Sequence, residues 1–224
     1  MVLQLYGSNI GYCTRLVALV LYEKNVPFEF HVVDLLKGEQ KSWEHRQKQP
    51  FALVPYIDDD GFILYESRAI CHYIATKYAD QGTPLIPKDL KANALYQQAA
   101  SMEIVYFAEY AEKAIQEVLI HPLKGLPTIP AVFQAVIVQL SAKLDVYDQI
   151  LAKQRYLAGN EITLADLNHV PIGTMLEMAG SNILQAKPNV KRWFEELTAR
   201  PAWQAVKGDI HGIPPKREMV MAHL

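Results

Sequence analysis

The chain has 224 residues, of which 50% are apolar and 21% are charged, with a formal net charge of −2. This composition predicts a soluble globular protein, and it argues against nucleic-acid or anionic-membrane partners, since both need clustered Lys and Arg. No apolar stretch is long enough to span a bilayer. Two cysteines, Cys13 and Cys71, make no disulfide framework, and the N-terminus resembles no export signal, so we expect a cytoplasmic protein.

The first 80 residues alternate between strand and helix patterns. Strands are predicted at residues 2–6, 28–33, 54–57 and 62–65, and helices at residues 14–24 and 67–78. Between them, residues 36–49 are polar and irregular, and residues 58–61 (DDDG) predict a hairpin turn. The order β-α-β, loop, β-β-α predicts a small mixed sheet with helices on its faces. A right-handed crossover is expected to join its first two strands.

Beyond a segment rich in turn formers, the strand pattern disappears. Residues 80–84 (DQGTP) and Pro87 mark this segment, and we place a linker at residues 81–89. Helices are then predicted at residues 90–120, 131–152, 163–178 and 189–199. The fold class is therefore α+β, with a mixed domain at residues 1–80 followed by an all-helical bundle domain at residues 90–224.

One helix start in the second domain has a sharp local signal. Thr163 and Asp166 have the spacing of a capping box, and Ile162 and Leu167 have that of a hydrophobic staple. A buried cap of this kind stabilises a helix by about 1 kcal/mol and does not react. We therefore assign this segment to folding rather than to chemistry.

Segments along nearly the whole chain carry a resemblance to a known family. They are residues 5–8 (LYGS), 13–15 (CTR), 37–41 (KGEQK), 50–55 (PFALVP), 60–61 (DG), 66–70 (ESRAI), 157–159 (LAG) with 163–166 (TLAD), and 188–203 (PNVKRWFEELTARPAW). In this order and spacing they resemble the phi class of the cytosolic glutathione transferases. The resemblance implies a thioredoxin-like N-terminal domain that binds glutathione and a helical domain that carries a hydrophobic substrate pocket. No metal is implied, and the seven histidines show no metal-ligand spacing.

The resemblance implies roles for the residues of a glutathione-binding corner. The Val54–Pro55 bond is expected to be cis, which exposes the Val54 backbone to the cysteinyl unit of glutathione. Ser67 and the N–H groups that follow it would hold the γ-glutamyl carboxylate, as helix N-termini hold anions. Glu66 would face the ammonium group, and Lys41 would pair with the glycine carboxylate.

The chain departs from the phi pattern inside this site. Gly11 stands where the class has a serine, Leu53 replaces a glutamine, and Gln40 replaces a histidine. The resemblance still implies that Gln40 and Leu53 contact glutathione. The missing hydroxyl matters because a free thiol has a pKa near ~8.5, and lowering that pKa by about two units takes roughly 2.7 kcal/mol.

Three groups are open as substitutes for the missing serine hydroxyl. The phenol of Tyr12 could donate to the sulfur, although it could equally form a wall of the electrophile pocket. Ser8 offers a nearby hydroxyl, which we expect to bond to the backbone. The backbone N–H groups near Tyr12 and Cys13 could also act alone. Cys13 itself could form mixed disulfides, but thiol-transferase relatives carry their cysteine at the Gly11 position, so we expect a buried, inert thiol.

The hydrophobic pocket is expected against the first helices of the C-terminal domain. Tyr106, Phe107 and Tyr110 are its candidate walls, with Tyr12 opposite, and the alternative for each is a place in the core. The family is usually dimeric, and Phe51 resembles the residue that inserts into the partner subunit of a homodimer.

The sequence therefore predicts an enzyme with glutathione as its substrate. It would add the thiolate of glutathione to hydrophobic electrophiles, or reduce peroxides with it. One alternative is a ligandin-like protein that binds glutathione or hydrophobic ligands without turnover, because Gly11 and Leu53 have removed two polar contacts. The other is a thiol transferase that depends on Cys13.

Overall fold

Four strands form one mixed sheet in the N-terminal part of the chain. The computed structural model describes residues 2–215. Its strands are β1 (Leu3–Gly7), β2 (Phe28–Val32), β3 (Tyr56–Asp59) and β4 (Phe62–Tyr65), in the spatial order β2-β1-β3-β4. β1 runs parallel to β2 and antiparallel to β3, and β3 runs antiparallel to β4. The predicted βαβ-ββα sheet of the thioredoxin-like type is confirmed.

Helix α1 (Tyr12–Glu23) is buried along most of its length. Residues 16–21 are at most 4% exposed, because α3 (Ser67–Lys77) covers one side of α1 and helices from the C-terminal part cover another. A helix that is apolar around its circumference needs such cover on every side. The continuous apolar run of α1 therefore places it at the centre of the molecule, with its N-terminus directed at the site described below.

The third strand begins two residues later than predicted, at Tyr56. Pro55 has no N–H for a sheet ladder, and the Val54–Pro55 peptide bond is cis, as expected. Pairing with β1 therefore starts only after the proline. The segment before it, predicted to be irregular, contains one 3₁₀ turn (Glu39–Lys41) and the short helix α2 (Trp43–Arg46).

Beyond residue 89, the described chain is built from helices. These are α4 (Leu90–Met102), α5 (Glu109–Ile115), α6 (His121–Leu123), α7 (Pro130–Leu151), α8 (Leu164–Leu167), α9 (His169–Met178), α10 (Pro188–Thr198) and α11 (Pro201–Val206). Two π-helical stretches, Glu103–Ala108 and Gln116–Ile120, join α4, α5 and α6 into one long helical segment. The helix predicted at residues 163–178 divides at Asn168, and α11 was not predicted.

The domain limits stay a prediction, with a boundary proposed at the linker of residues 81–89. Part of the predicted second domain, residues 216–224, lies outside the described residues. Within residues 2–215, no helix is both long and apolar enough to cross a membrane.

The capping box at the start of α8 is confirmed, and its carboxylate does more than cap the helix. Asp166 is fully buried, and its Oδ2 accepts the Thr163 N–H at 2.9 Å. Its Oδ1 accepts the Leu157 N–H at 2.9 Å and the indole N–H of Trp193 at 3.0 Å. One side chain thus joins α8, the loop before it and α10.

Two ion pairs with buried carboxylates tie the strand-containing part to the helical part. Arg200 donates to Glu23 at 2.5 and 2.6 Å, and Arg68 on α3 donates to Glu103 at 2.7 and 2.8 Å. Burial lowers the pKa of Arg68, but its hydrogen bonds to Glu103 outweigh this and raise the pKa above its ordinary value. Bidentate pairs of this kind fix relative orientation as well as distance. They therefore fix the position of the strand-containing part relative to the helical part.

Candidate active site

A cavity of about 390 Å³ lies between the N-terminus of α1 and helix α5. Its lining includes five of the predicted site residues, namely Tyr12, Cys13, Gln40, Leu53 and Val54. Within residues 2–215, no group of three or more His, Cys, Asp or Glu side chains could hold a metal ion. The cavity is thus the place where the predicted N-terminal residues meet the helical part of the chain.

The position that lacks a serine is the N-cap of α1. Gly11 has an extended backbone there (φ −80°, ψ 117°) and no side chain to cap the helix. None of the described hydrogen bonds uses the N–H of Tyr12 or of Cys13, as expected for the first turn of a helix. These N–H groups and the positive end of the helix dipole therefore face the region in front of α1.

Before the cis bond, the backbone groups of Leu53 are hydrogen-bonded, whereas those of Val54 are not. The Leu53 N–H donates to Gln49 Oε1 at 3.2 Å, and the Leu53 C=O accepts from His45 Nε2 at 2.7 Å. By contrast, none of the described hydrogen bonds uses the N–H or C=O of Val54. Free backbone groups next to a sheet can pair with an extended peptide, as in strand addition.

The chain enters α3 through a backbone conformation that non-glycine residues rarely adopt. Glu66 has φ 70° and ψ 107°, a conformation that costs about 1–3 kcal/mol and tends to occur at ligand-binding sites. Ser67, the first residue of α3, is buried, whereas Glu66 is exposed. Burial raises the pKa of the Cys13 thiol and Ser67 partly offsets this rise, so this helix start lies beside a residue that lines the cavity.

Tyr12 makes its hydrogen bond across the cavity, to the helical part of the chain. Its phenol donates to Glu112 Oε1 at 2.9 Å, over a sequence separation of 100 residues. Burial raises the pKa of Tyr12 well above its ordinary value, and the nearby Cys13 and Glu112 raise it further. The phenol therefore keeps its proton and directs it at Glu112, rather than offering it to a sulfur.

Cys13 lies in the same cluster but has little thiolate character. Burial raises the pKa of its thiol, and this outweighs the lowering by Ser67, by the Arg68 charge and by Tyr12. The second cysteine, Cys71, is buried in the core and its pKa is also raised by burial. Cys13 is half-buried rather than buried, because it lines the cavity. Thiol–disulfide exchange needs a thiolate, so the raised pKa still favours the expectation of an inert thiol.

The remaining predicted glutathione-binding and catalytic residues lie at different places. Gln40 lines the cavity, and its buried Oε1 has no hydrogen-bond partner among the described residues. Lys41 is exposed at the end of the 3₁₀ turn. Ser8 is buried outside the cavity lining, where its N–H donates to Thr14 Oγ1 at 3.2 Å and its C=O accepts the Gly11 N–H at 3.0 Å.

The structure corrects the aromatic wall predicted on the C-terminal part. Phe107 is fully buried and packs against His169, with ring centroids 4.6 Å apart, so it belongs to the core. Tyr106 is exposed and Tyr110 packs on the core, and neither lines the cavity. Tyr106 and Phe107 lie inside the π-helical stretch Glu103–Ala108, whose wider turns depart from the α-helical spacing on which this wall was predicted.

The wall that faces Tyr12 consists of residues that the sequence analysis did not select. They are Glu112, Ile115, Gln116, Ile120, Lys124 and Met175. The first three have the spacing of one helix face, i, i+3 and i+4. The same spacing is present in the sequence, but it predicts a cavity wall only when one knows which face of this helix is directed at the cavity.

Comparison with known proteins identifies the family. The model of the glutathione S-transferase N-terminal domain matches residues 5–82, and that of the glutathione S-transferase C-terminal domain matches residues 111–201. The chain is 45% identical over 212 residues to glutathione S-transferase hmp2 of Hypomyces subiculosus, covering 91% of this chain and 96% of the relative. The chain belongs to the glutathione S-transferase family.

Plant relatives place it in the phi class of that family. Glutathione S-transferase F12 of Arabidopsis thaliana is 40% identical, over 91% of this chain and 96% of its own length. Glutathione transferase F7 of Populus trichocarpa superposes with a TM-score of 0.88 at 34% identity, covering 92% of this chain and 98% of that one. Glutathione S-transferase I from maize, solved in complex with an atrazine glutathione conjugate, has a TM-score of 0.83 at 32% identity, over 92% and 96% of the two chains.

Proposed function

We propose that this glutathione transferase conjugates small hydrophobic electrophiles with glutathione in the cavity between α1 and α5. The observation that carries the proposal is the convergence of three features at that cavity. Two of them line the cavity, namely the free backbone of Val54 and an apolar wall that includes Leu53, Ile115 and Met175. The third, the start of α3 at Ser67, lies beside the cavity-lining Cys13. The reaction needs a site that binds the peptide backbone of glutathione, a site that binds its carboxylate, and an apolar site for the electrophile.

Each part of glutathione has a proposed partner. Val54 would pair with the cysteinyl backbone, and Ser67 with the free N–H groups of α3 would hold the γ-glutamyl carboxylate. Glu66, exposed at the entry to α3, would face the ammonium group. Lys41 would pair with the glycine carboxylate, and the unpartnered Gln40 Oε1 would accept a donor from the peptide.

The thiolate would be stabilised by the N-terminus of α1. The thiol loses its proton to solvent, and the N–H groups of Tyr12 and Cys13 with the helix dipole favour the resulting anion. The sulfur then forms a bond to the electrophilic carbon, and the leaving group departs with its bonding pair. Because Tyr12 donates to Glu112, this assignment favours the backbone over the phenol as the substitute for the missing serine hydroxyl.

We also propose a homodimer in the cytoplasm and peroxide reduction by the same thiolate. The support for the dimer is Phe51, whose side chain is 67% exposed on a loop and has Tyr65 as an aromatic neighbour, at a centroid distance of 6.1 Å. An exposed aromatic side chain of this kind suits a partner's pocket. Sedimentation equilibrium of the purified chain tests the dimer, and a hydroperoxide assay with glutathione tests the second reaction.

Titration calorimetry with glutathione, followed by steady-state conjugation of an activated aryl halide, tests the main proposal. We expect saturable binding of glutathione and turnover that increases with pH as the bound thiol ionises. Absence of binding would contradict the assignment of the site. Binding without turnover would instead favour the ligandin-like alternative, in which Gly11 has cost the chain its catalysis.

Restoring a hydroxyl at the N-cap is expected to increase activity. A Cβ at Gly11 would lie 3.2 Å from Thr14 Oγ1 and 3.3 Å from the Ser8 C=O, so these neighbours must shift by a few tenths of an ångström. In Gly11→Ser the hydroxyl can donate to the sulfur, and a charge-assisted hydrogen bond predicts about a tenfold higher kcat/KM near neutral pH. Steady-state kinetics as a function of pH measure this change.

The matched control is Gly11→Ala, which adds the same Cβ without a hydroxyl. Activity that rises equally in Gly11→Ala and Gly11→Ser would show that packing, rather than hydrogen bonding to the sulfur, limits the wild type.

A further inference from the structure

The hydrogen bond between Tyr12 and Glu112 determines where the single phenol proton points. An ionised carboxylate only accepts, whereas a phenol has one O–H to donate. The 2.9 Å contact to Glu112 Oε1 therefore takes that proton. Only the lone pairs of the phenol oxygen remain for the rest of the cavity.

The surroundings keep this arrangement in place. Glu112 and Tyr12 both line the cavity, and the charged or titratable groups around them are Cys13 on α1, Arg68 on α3 and Lys124 after α6. Arg68 is already bound to Glu103 through two hydrogen bonds. Burial raises the pKa of Tyr12, so the phenol remains protonated over the pH range in which glutathione ionises.

We propose that Glu112 is a positioning residue that holds the hydroxyl proton of Tyr12 away from the glutathione sulfur. This inference rests on the proposed function, because it requires glutathione to bind beside the N-terminus of α1. Tyr12 is then a hydrogen-bond donor whose proton is held by Glu112 on α5. The thiol is activated by the backbone alone while the restraint persists.

Removal of the restraint is expected to activate the enzyme through Tyr12. In Glu112→Leu the phenol is free to donate to the thiolate, which should lower the apparent pKa of bound glutathione by about one unit. The kcat/KM below that pKa should rise about tenfold. Thiolate absorbance of the glutathione complex and the pH profile of kcat/KM measure the two effects.

The background variant Tyr12→Phe separates release of the phenol from loss of a negative charge. Tyr12→Phe alone should leave the apparent pKa of bound glutathione unchanged, since the wild-type phenol does not donate to the sulfur. The double variant Tyr12→Phe/Glu112→Leu should show none of the pKa decrease seen in Glu112→Leu. Glu109→Leu, which removes an exposed carboxylate one turn earlier that is paired with Lys113, controls for distant charge.

Several results would overturn the inference while leaving the proposed function intact. One is an unchanged or higher apparent pKa in Glu112→Leu, and another is the same decrease in the Tyr12→Phe background. A raised pKa in Tyr12→Phe alone would also overturn it, because the phenol would then already serve the sulfur. If Glu112→Leu fails to fold, Glu112→Ala removes the same acceptor. Failure of the wild type to bind glutathione would instead overturn the proposed function.

Discussion

Replacing Asp166 with alanine is expected to lower the free energy of unfolding by about 3–5 kcal/mol. Three N–H donors, from Leu157, Thr163 and Trp193, lose their acceptor in a region from which water is excluded. Each buried donor without a partner costs about 1–3 kcal/mol. Urea denaturation followed by circular dichroism and by tryptophan fluorescence measures this loss, because Trp193 reports on the altered contact directly.

Two further variants calibrate this loss of stability. Asp166→Asn keeps one acceptor oxygen in nearly the same shape and should cost less than alanine. Asp145→Ala removes an exposed carboxylate that pairs with Lys187 at the surface, and it should change the stability by no more than about 1 kcal/mol. An Asp166→Ala loss no greater than that of Asp145→Ala would show that the three N–H groups find other partners.

Ser67→Ala is expected to weaken glutathione binding by about 10- to 100-fold, the largest effect on binding that we predict. The lost interaction is a hydrogen bond to a charged carboxylate, worth about 1.5–3 kcal/mol. Ser67 is buried at the start of α3, and the strained entry through Glu66 fixes its position, so no neighbouring hydroxyl replaces it. Titration calorimetry with glutathione at a pH where the γ-glutamyl carboxylate is ionised measures the change in Kd.

Ser101→Ala is the matched control for Ser67→Ala. It also removes a serine hydroxyl from a helix, one that donates to the Gln97 C=O on the exposed face of α4. Its Kd for glutathione should equal that of the wild type. Equal affinities for Ser67→Ala and the wild type, with both proteins folded, would remove Ser67 from the binding site.

The local elements of the N-terminal part were predictable because their signals lie within short stretches of sequence. The DDDG turn, the alternation in residues 62–65 and the apolar run of α1 depend on neighbouring residues alone. The capping box at Thr163 has the same local character, and it is formed as predicted. The start of β3 was predicted two residues too early, since it depends on where Pro55 interrupts pairing with β1.

The family was predictable for a different reason, namely the resemblance of several spaced segments to one class of proteins. The cis Val54–Pro55 bond is present, as that resemblance implied. The role of each residue toward glutathione remains a prediction. The departures at Gly11 and Leu53 were visible in the sequence. Their chemical consequence was not, because it depends on which residues lie on the opposite wall of the cavity.

Only the tertiary structure decided the opposite wall of the cavity. The long helical segment contains the π-helical stretch Glu103–Ala108, and along this segment Phe107 lies in the core while Glu112 lines the cavity. No composition or short-range spacing marks such a stretch. The sequence by itself thus determined the fold and the family, through local and motif signals. The pairing of Tyr12 with Glu112, 100 residues away, depends on helix phase and on how the two parts of the chain pack together.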